Sequence, residues 1–521
     1  MIYLQISEEK YEYDIRGLLM AFYPHEEIEK HPWDTPAQNA CEESAPCPQK
    51  ISRENIPHPQ KTNHTSLAVP APWRRRLRVF YGSSQASLSL SIRTETNGRA
   101  SLIDLTETAV CEPAQTSQAK SALKRALYRL LQKDTQKTLP WGTLTGIRPT
   151  KIAMHLLEQG QTEKEIASYM EQEYLASEEK IRLSLEIACR EKQILQGIDY
   201  TNGYSLYIGI PFCPTTCLYC SFTSYPFSRY AAQADAYLAA VEQELAWTAK
   251  AFRGKTLNTI YFGGGTPTTL EASQLDRLLC FVEQHFDLSN LKELTVEAGR
   301  PDSITKEKLR ALKQHNISRI SINPQTMKQE TLDLIGRRHS AAQIREAFGL
   351  ARESGFNNIN MDLILGLPGE TIDDVRKTME ELKQLRPDSI TVHSLAIKRA
   401  ARLNQFWEQY AHLSMENSDQ TMAVAAAAAR ELGLFPYYLY RQKNMAGNLE
   451  NVGYAAPGKE GIYNILIMEE KQTIVAVGAG SMSKRVYPDG RIERRENVKD
   501  VNQYIERIGE MIERKRVLLS D

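Results

Sequence analysis

From Tyr204 onward the chain alternates short apolar runs with stretches in which apolar residues recur at helical spacing. The runs SLYIGI, TLNTIYFGG, ELTVEA, RISINP, NINMDLI and SITVHSL read as strands. Each but the last is followed by an amphipathic segment, such as AYLAAVEQELAWTAKAF or KEKLRALKQH. Repeated strand–helix units predict an α/β fold, a parallel sheet curled into a partial (β/α)6 barrel over residues 200–395. Function in such a sheet gathers at the carboxyl ends of the strands, so the residues just after each run carry the candidate chemistry.

The flanks have other patterns. Residues 1–135 predict a small α+β domain: a strand in YLQISEEK, a helix around IRGLLMAFY, strands in RLRVFYG, ASLSLSIRT and ASLIDL, and a helix from about Gln118 to Gln132. Within it, residues 32–72 are rich in proline, serine and asparagine without apolar periodicity, which predicts an exposed loop or flexible insertion. Residues 136–199 begin with the proline- and glycine-punctuated PWGTLTGIRP and continue as a helical connector. Residues 396–521 form a mixed helical and β extension expected to close over the active site.

A chain of 521 residues has ample core for several units. Its 64 basic and 64 acidic residues balance, which gives no bulk attraction to nucleic acid or to an anionic membrane. The first residues, MIYLQISEEKYEYD, lack a secretory pattern, and no apolar run is long enough to span a bilayer; the expected location is cytoplasmic. Cys41, Cys47, Cys111, Cys189 and Cys280 are scattered and read as ordinary thiols.

The remaining cysteines are grouped. The first strand ends in Tyr207-Ile-Gly209-Ile-Pro-Phe-Cys213-Pro-Thr-Thr-Cys217-Leu-Tyr-Cys220-Ser-Phe222. A structural zinc site takes four protein ligands, and neither Cys nor His follows Cys220 until Cys280 and His285. Three thiolates on a four-iron cluster leave one iron with an open position. Such an iron can chelate the amino and carboxylate groups of S-adenosylmethionine and bring its sulfonium within reach of an electron. The second strand runs into Phe262-Gly263-Gly264-Gly265-Thr266-Pro267, whose glycines allow close backbone approach to a ligand. Glu297 follows the third strand, Gln325 the fourth, Arg337 lies in the next loop, and Asp362 lies within the fifth strand. Singly each is an ordinary cap or ion-pair residue; in register with the repeat they read as a cradle.

The Cys-x3-Cys-x2-Cys spacing, with an aromatic before the last cysteine, resembles the radical S-adenosylmethionine family. YIGIPFC, GGGTPT, VEAGRPD, INPQTM, GRRH and DLILGLPGET in this order resemble the oxygen-independent coproporphyrinogen III oxidases. LTGIRPTK, HSLAIKRAARL and YYLYRQKNMAGNLENVGYA extend the likeness to the coproporphyrinogen dehydrogenase branch called HemZ.

The resemblance implies that Cys213, Cys217 and Cys220 hold a 4Fe–4S cluster, and that Tyr207, Gly264, Gly265, Thr266, Glu297, Gln325, Arg337 and Asp362 hold S-adenosylmethionine. It also implies oxidative decarboxylation of two propionates to vinyl groups, with a tetrapyrrole substrate and a low-potential donor such as flavodoxin or ferredoxin. A substrate with four carboxylates calls for a basic rim, for which Lys398, Arg399, Arg402 and Arg441 are the candidates. Two departures mark this chain. Gly209 stands where the family pattern often has histidine, and Phe222 where the decarboxylating oxidases commonly have a fourth cysteine.

Phe222 is shared with heme-carrying relatives. Their His-Asn-x-x-Tyr-Trp segment, however, is here Gly447-Asn448-Leu-Glu-Asn451-Val-Gly-Tyr454, without the histidine; His339 and His393 are the other histidines considered as heme ligands. A radical methyltransferase acting on a tetrapyrrole would need a second S-adenosylmethionine site, for which Val477-Gly478-Ala479-Gly480-Ser481 is a candidate lining or a simple turn.

Overall fold

The computed structural model describes all residues except 25, 34–73, 82–84, 97–98, 111–115, 147, 399, 442–448 and 520–521. The predicted insertion therefore lies, from residue 34 on, outside the described residues, as do Cys41, Cys47, Cys111 and Arg399. The chain forms two units, Met1–Thr138 and Leu139–Asp521. The helical connector expected at 136–199 thus belongs, from Leu139, to the same unit as the barrel.

In the first unit the sheet order is β2-β1-β3-β4-β5, with β1 at Ile2–Ile6, β2 at Ile28–Lys30, β3 at Arg75–Tyr81, β4 at Gln85–Thr96 and β5 at Arg99–Val110. The alternation in ASLSL is that of a half-buried strand: Ala86, Leu88 and Leu90 are buried while Ser87 is exposed. Helices Glu12–Phe22 and Thr116–Thr135 contribute Ile15, Leu18, Leu19, Leu123, Leu127 and Leu131 to the buried set. Asp134 accepts from the Tyr23 hydroxyl at 2.5 Å and from Arg75 Nε at 2.7 Å.

The second unit begins with helices Thr150–Glu158, Glu163–Tyr174 and Glu178–Leu195. It then enters β6 (Gly203–Ile210), the short β7 (Phe212–Cys213) and β8 (Tyr225–Pro226). β9 (Thr256–Gly264), β10 (Glu293–Gly299), β11 (Arg319–Ile322), β12 (Ile359–Leu365) and β13 (Ser389–Ser394) follow. β6 and β9 to β13 pair in parallel in chain order, with helices such as Ala234–Ala251, Ala272–His285 and Ile372–Leu385 between them. These are the six strands that the apolar runs predict. Their residues are buried almost throughout, as befits strands in a parallel sheet covered by helices.

The extension adds strands to this sheet. β14 (Phe435–Tyr440) and β15 (Asn451–Ala455) add antiparallel strands beyond β13. At the opposite edge β16 (Thr473–Val477) pairs in parallel with β6, followed by β17 (Met482–Val486) and β18 (Ile492–Glu496). Residues after 395 therefore build both flanks of one eleven-stranded sheet. TIVAV supplies the apolar run that an interior strand requires, and its last four residues are buried.

Candidate active site

The chain leaves β6 through Pro211, so Cys213 falls at the carboxyl end of the sheet and the following loop turns across it. That loop is pinned to the segment after β11. Leu218 N donates to Ile335 O at 2.9 Å, and Thr215 Oγ1 to Gly336 O at 2.9 Å. Arg300, buried just after β10, donates to Thr215 Oγ1 at 2.7 Å while Asp302 holds its other nitrogens at 2.7 and 2.9 Å. Cys213, Cys217 and Cys220 all line one cavity of about 240 Å³.

The glycine segment is threaded against the first strand. Gly265 N donates to Ile210 O at 2.8 Å and Thr266 N to Phe212 O at 2.7 Å. A Cβ on Gly265 would lie 2.4 Å from Phe212 O, and Gly264 has φ +106°; both positions require glycine for close approach or for left-handed backbone. Gly264, Gly265 and Thr266 line the cysteine cavity together with Glu297, Gln325, Arg337 and Asp362. Seven of the eight residues expected to hold S-adenosylmethionine thus converge with the cysteines. Tyr207 is the exception: it lines a neighbouring chamber, stacked with Tyr261 and Tyr463.

Each of the four polar residues is held in place. Glu297 Oε1 accepts from the Tyr261 hydroxyl at 2.6 Å; burial, with Asp362 nearby, pushes its carboxyl up to about 7 against the pull of that hydrogen bond and of Arg319. Gln325 adopts φ +68° and is locked by Gln325 N to Asp362 O at 2.9 Å and Ile364 N to Gln325 O at 3.0 Å. Its Oε1 is buried without a protein partner. Arg337 donates to Asn323 O and lies beside Tyr219 and Cys217, while its Nε has no protein acceptor. Asp362 accepts from Asn360 Nδ2 at 2.7 Å. Lone polar atoms at this depth are costly unless a ligand completes them, and these two line the cavity where a polar cosubstrate is expected.

The thiols show the same incompleteness. Burial pushes Cys213 up to about 11 and raises Cys220, and the neighbouring cysteines push further in the same direction. Three thiols lining one cavity become thiolates at lower cost with a cationic centre among them. Donors already face two of them: Thr266 Oγ1 lies 3.5 Å from Cys213 Sγ and Arg300 Nη1 3.8 Å from Cys217 Sγ. The donor set fits an iron–sulfur cluster, and the orphaned Gln325 and Arg337 atoms fit a bound cosubstrate.

The basic rim is not as the sequence suggests. Lys398 lines the cavity, with its ammonium 5.6 Å from the centre of the Phe222 ring. Arg402 is exposed in a separate depression with Pro214 and Arg338. Arg441 is buried and serves the scaffold: Nη1 donates to Leu144 O at 2.6 Å and Nε to Leu449 O at 3.4 Å. An arginine following a strand reads the same in sequence whether it faces a pocket or caps distant carbonyls. Sequence reasoning also missed Arg300, although it lies in the quoted VEAGRPD. It missed as well the chain from Asp362 to His393 (4.0 Å) to Tyr440 (3.2 Å), both of whose last members line the cavity.

The sequence profile described as Radical SAM superfamily matches residues 207–382. The chain is 44% identical to the oxygen-independent coproporphyrinogen-III oxidase-like protein HemZ of Bacillus subtilis over 395 residues, which is 75% of this chain and 79% of that one. The chain belongs to this radical SAM family. Its cofactors are accordingly a 4Fe–4S cluster and S-adenosylmethionine. Heme chaperone HemW of Bacillus subtilis is 32% identical over 59% of this chain and 76% of its own length. Oxygen-independent coproporphyrinogen III oxidase of Escherichia coli is 33% identical over 37% of this chain and 42% of that protein. Among solved structures, coproporphyrinogen III oxidase HemN from Escherichia coli is similar with a TM-score of 0.48 and 23% identity, covering 62% of this chain and 73% of that one. No helix among the described residues is long and apolar enough to cross a membrane.

Proposed function

We propose that this radical SAM protein converts two propionates of coproporphyrinogen III to vinyl groups, giving protoporphyrinogen IX in heme biosynthesis. Each propionate loses a β-hydrogen, carbon dioxide and one electron, the last to an acceptor. A 4Fe–4S cluster held by Cys213, Cys217 and Cys220, with S-adenosylmethionine beside it and a donor such as flavodoxin or ferredoxin, would supply the one-electron chemistry that removes the hydrogen.

The chain's own residues hold and shield that chemistry. Cys213, Cys217 and Cys220 bind the cluster, and Arg300 and Thr266 offer hydrogen bonds to their sulfurs. The backbone of Gly264 and Gly265 and the side chains of Glu297, Gln325, Arg337 and Asp362 orient the cosubstrate. Burial holds the Lys398 ammonium below its ordinary value while Cys220 pulls it up; Lys398 is placed to meet a substrate carboxylate at the cavity mouth.

The observation that supports an enzymatic reading over heme carriage is the gathering of the three cysteines and seven candidate cosubstrate residues on one cavity. The histidine in that lining, His393, is hydrogen-bonded through Nδ1 to the Tyr440 hydroxyl at 3.2 Å, with Asp362 4.0 Å from Nε2. His339 lies buried beside Asp302, outside the cavity lining. The likeness to HemW and the shared Phe222 keep heme carriage as the second reading.

One experiment separates them. Anaerobically reconstituted protein is incubated with reductant, S-adenosylmethionine and coproporphyrinogen III, and products are read by mass spectrometry. Deoxyadenosine together with loss of two carboxyl groups is expected. Deoxyadenosine without decarboxylation rejects the substrate, and stoichiometric heme binding without turnover favours carriage.

A further inference from the structure

Away from the cysteine cavity, Asp276, Cys280 and His315 bring a carboxylate, a thiol and an imidazole within 4.8 Å of one another. They belong to the helical layer that covers the sheet. Helix Ala272–His285, after β9, buries Leu275, Leu278, Leu279 and Val282, and helix Lys306–Gln314, after β10, buries Leu309, Ala311 and Leu312. Asp276, Cys280 and Glu283 follow at i, i+4 and i+7 on the first helix, so they form a stripe beside its apolar one. His315 caps the carboxyl end of the second helix and meets that stripe. His315 is buried, Cys280 half-buried and Asp276 half-exposed, so the group opens to solvent on one side.

The imidazole is aimed from behind. Glu283 Oε2 lies 3.0 Å from Nδ1, which suits that nitrogen as the donor and turns Nε2 towards Asp276 Oδ1 at 3.0 Å and Cys280 Sγ at 4.0 Å. A carboxylate behind a histidine is the usual device that fixes the tautomer and orientation of a metal-binding imidazole. Nε2 therefore faces two groups at once. A hydrogen on it makes one good bond, to Asp276, and leaves the thiol at the limit of contact; a cation between them takes all three as ligands.

The spacing suits zinc. Tetrahedral zinc, with bonds of about 2.0–2.1 Å to nitrogen and oxygen and about 2.3 Å to sulfur, sets nitrogen and oxygen about 3.4 Å apart and nitrogen and sulfur about 3.6 Å apart. The 3.0 and 4.0 Å found here differ from these by about 0.4 Å, within reach of small side-chain rotations. One thiolate, one imidazole and one carboxylate favour zinc over magnesium or calcium, which take oxygen ligands. Three protein ligands leave a fourth position to water on the open side.

We infer that Asp276, Cys280 and His315 form a zinc site that ties helix Ala272–His285 to the end of helix Lys306–Gln314, with Glu283 orienting the imidazole. In sequence Cys280 reads as an ordinary thiol, because His315 lies 35 positions further on and only the packing of the two helices joins them. None of the four residues lines the cysteine cavity, so the site is independent of the proposed function. An ion that binds the folded chain and not the unfolded one raises stability by mass action.

The test uses the full chain with its cluster reconstituted and its iron counted in every sample. Native protein, Cys280→Ser, Asp276→Asn and His315→Gln are dialysed against zinc buffered from the nanomolar to the micromolar range, and bound zinc is counted by mass spectrometry. X-ray absorption at the zinc edge, which iron does not obscure, reads the ligands. One zinc per native chain with a single sulfur ligand is expected, bound at least tenfold more weakly by each variant and without sulfur in Cys280→Ser. Zinc should also raise the unfolding temperature of the native chain and not that of the variants. Glu283→Gln keeps all three ligands and is expected to weaken binding about tenfold. Cys280→Ser and Asp276→Asn change partly exposed side chains, so they decide the matter even if His315→Gln, at a buried residue, does not fold. No zinc on the native chain at micromolar free metal, or equal affinity in native protein and these two variants, overturns the site. So does zinc with three sulfur ligands and loss of iron, which places the ion among Cys213, Cys217 and Cys220.

Discussion

The cysteine cavity and a neighbouring basic chamber share Ser221, Phe222 and Gly264, yet they are assembled in different ways. The cavity is built from the loop of Cys213 to Ser224 and from residues that β9 to β13 or their following segments deliver to the same end of the sheet, with Tyr440 added from β14. The chamber gathers Arg148 from before the barrel, Tyr207 from β6, Glu470 from the end of the helix Ile462–Glu469, and Lys484 and Arg494 from β17 and β18 at the far edge. The cysteines and the residues that converge with them are delivered largely by the repeating unit, whereas the chamber depends on pieces attached to it.

The sharpest break of this contrast is Cys217→Ala. Cys217 is buried, so the change leaves only a small void, but one iron loses its ligand. Deoxyadenosine formation and bound iron are expected to fall to background, while the circular dichroism spectrum survives. Loss of the spectrum together with the iron would mean that the cysteine loop carries the fold as well as the cluster.

Arg441→Met probes the scaffold that belongs to neither site. Three of its polar contacts go to backbone carbonyls of Leu144, Gly146 and Leu449. Losing charge-assisted bonds to buried acceptors costs about 2–3 kcal/mol. Denaturant unfolding is expected to show that loss, with cosubstrate affinity kept. A large affinity change at full stability would return Arg441 to the basic rim.

This residue also shows where sequence stops informing. The six parallel strands are legible because apolar runs and helical periods alternate without interruption. Gln325, Arg337 and Asp362 are legible because each sits where a βα repeat places function. Arg441 was indistinguishable from a rim residue because two of its acceptors, Leu144 and Gly146, lie almost three hundred positions away. TIVAV gives no sign that its partner is β6, and the convergence of Arg148, Lys484 and Arg494 on Glu470 depends on that pairing. Long-range register is a property of the folded sheet and leaves no local period.

Glu297 tests the charge of the cavity itself. The folded chain holds its proton to about pH 7, whereas the unfolded carboxyl releases it near 4.5. Between these values the folded state binds more protons, so its contribution to stability is full below pH 4.5 and is lost as pH rises through 7. Glu297→Gln should remove that slope from a series of denaturant titrations. If the ionised carboxylate anchors the amino end of S-adenosylmethionine, native affinity rises through pH 7. The variant then binds about tenfold more weakly at pH 8 and nearly as well as native at pH 6, about 1.4 kcal/mol apart at the higher pH. A flat native profile would remove Glu297 from the anchor.

The smallest effect belongs to Phe222, which lines both spaces and is 72% exposed. Its ring has little burial to lose, and its contact with Lys398 is of the exposed cation–π kind, about 0.5–1 kcal/mol. Phe222→Ala should therefore leave the unfolding midpoint nearly unchanged and shift ligand affinities by no more than about fivefold. The comparison lies in which ligand moves. If the ring mainly restrains Lys398 at the cysteine cavity, S-adenosylmethionine affinity changes and coproporphyrin III affinity does not. If it packs against the substrate, the porphyrin affinity falls alone, because an apolar ring beside bound tetrapyrrole contributes contact area that the cosubstrate never touches. Equal shifts in both would make Phe222 a shared partition, through which occupation of one space is felt in the other.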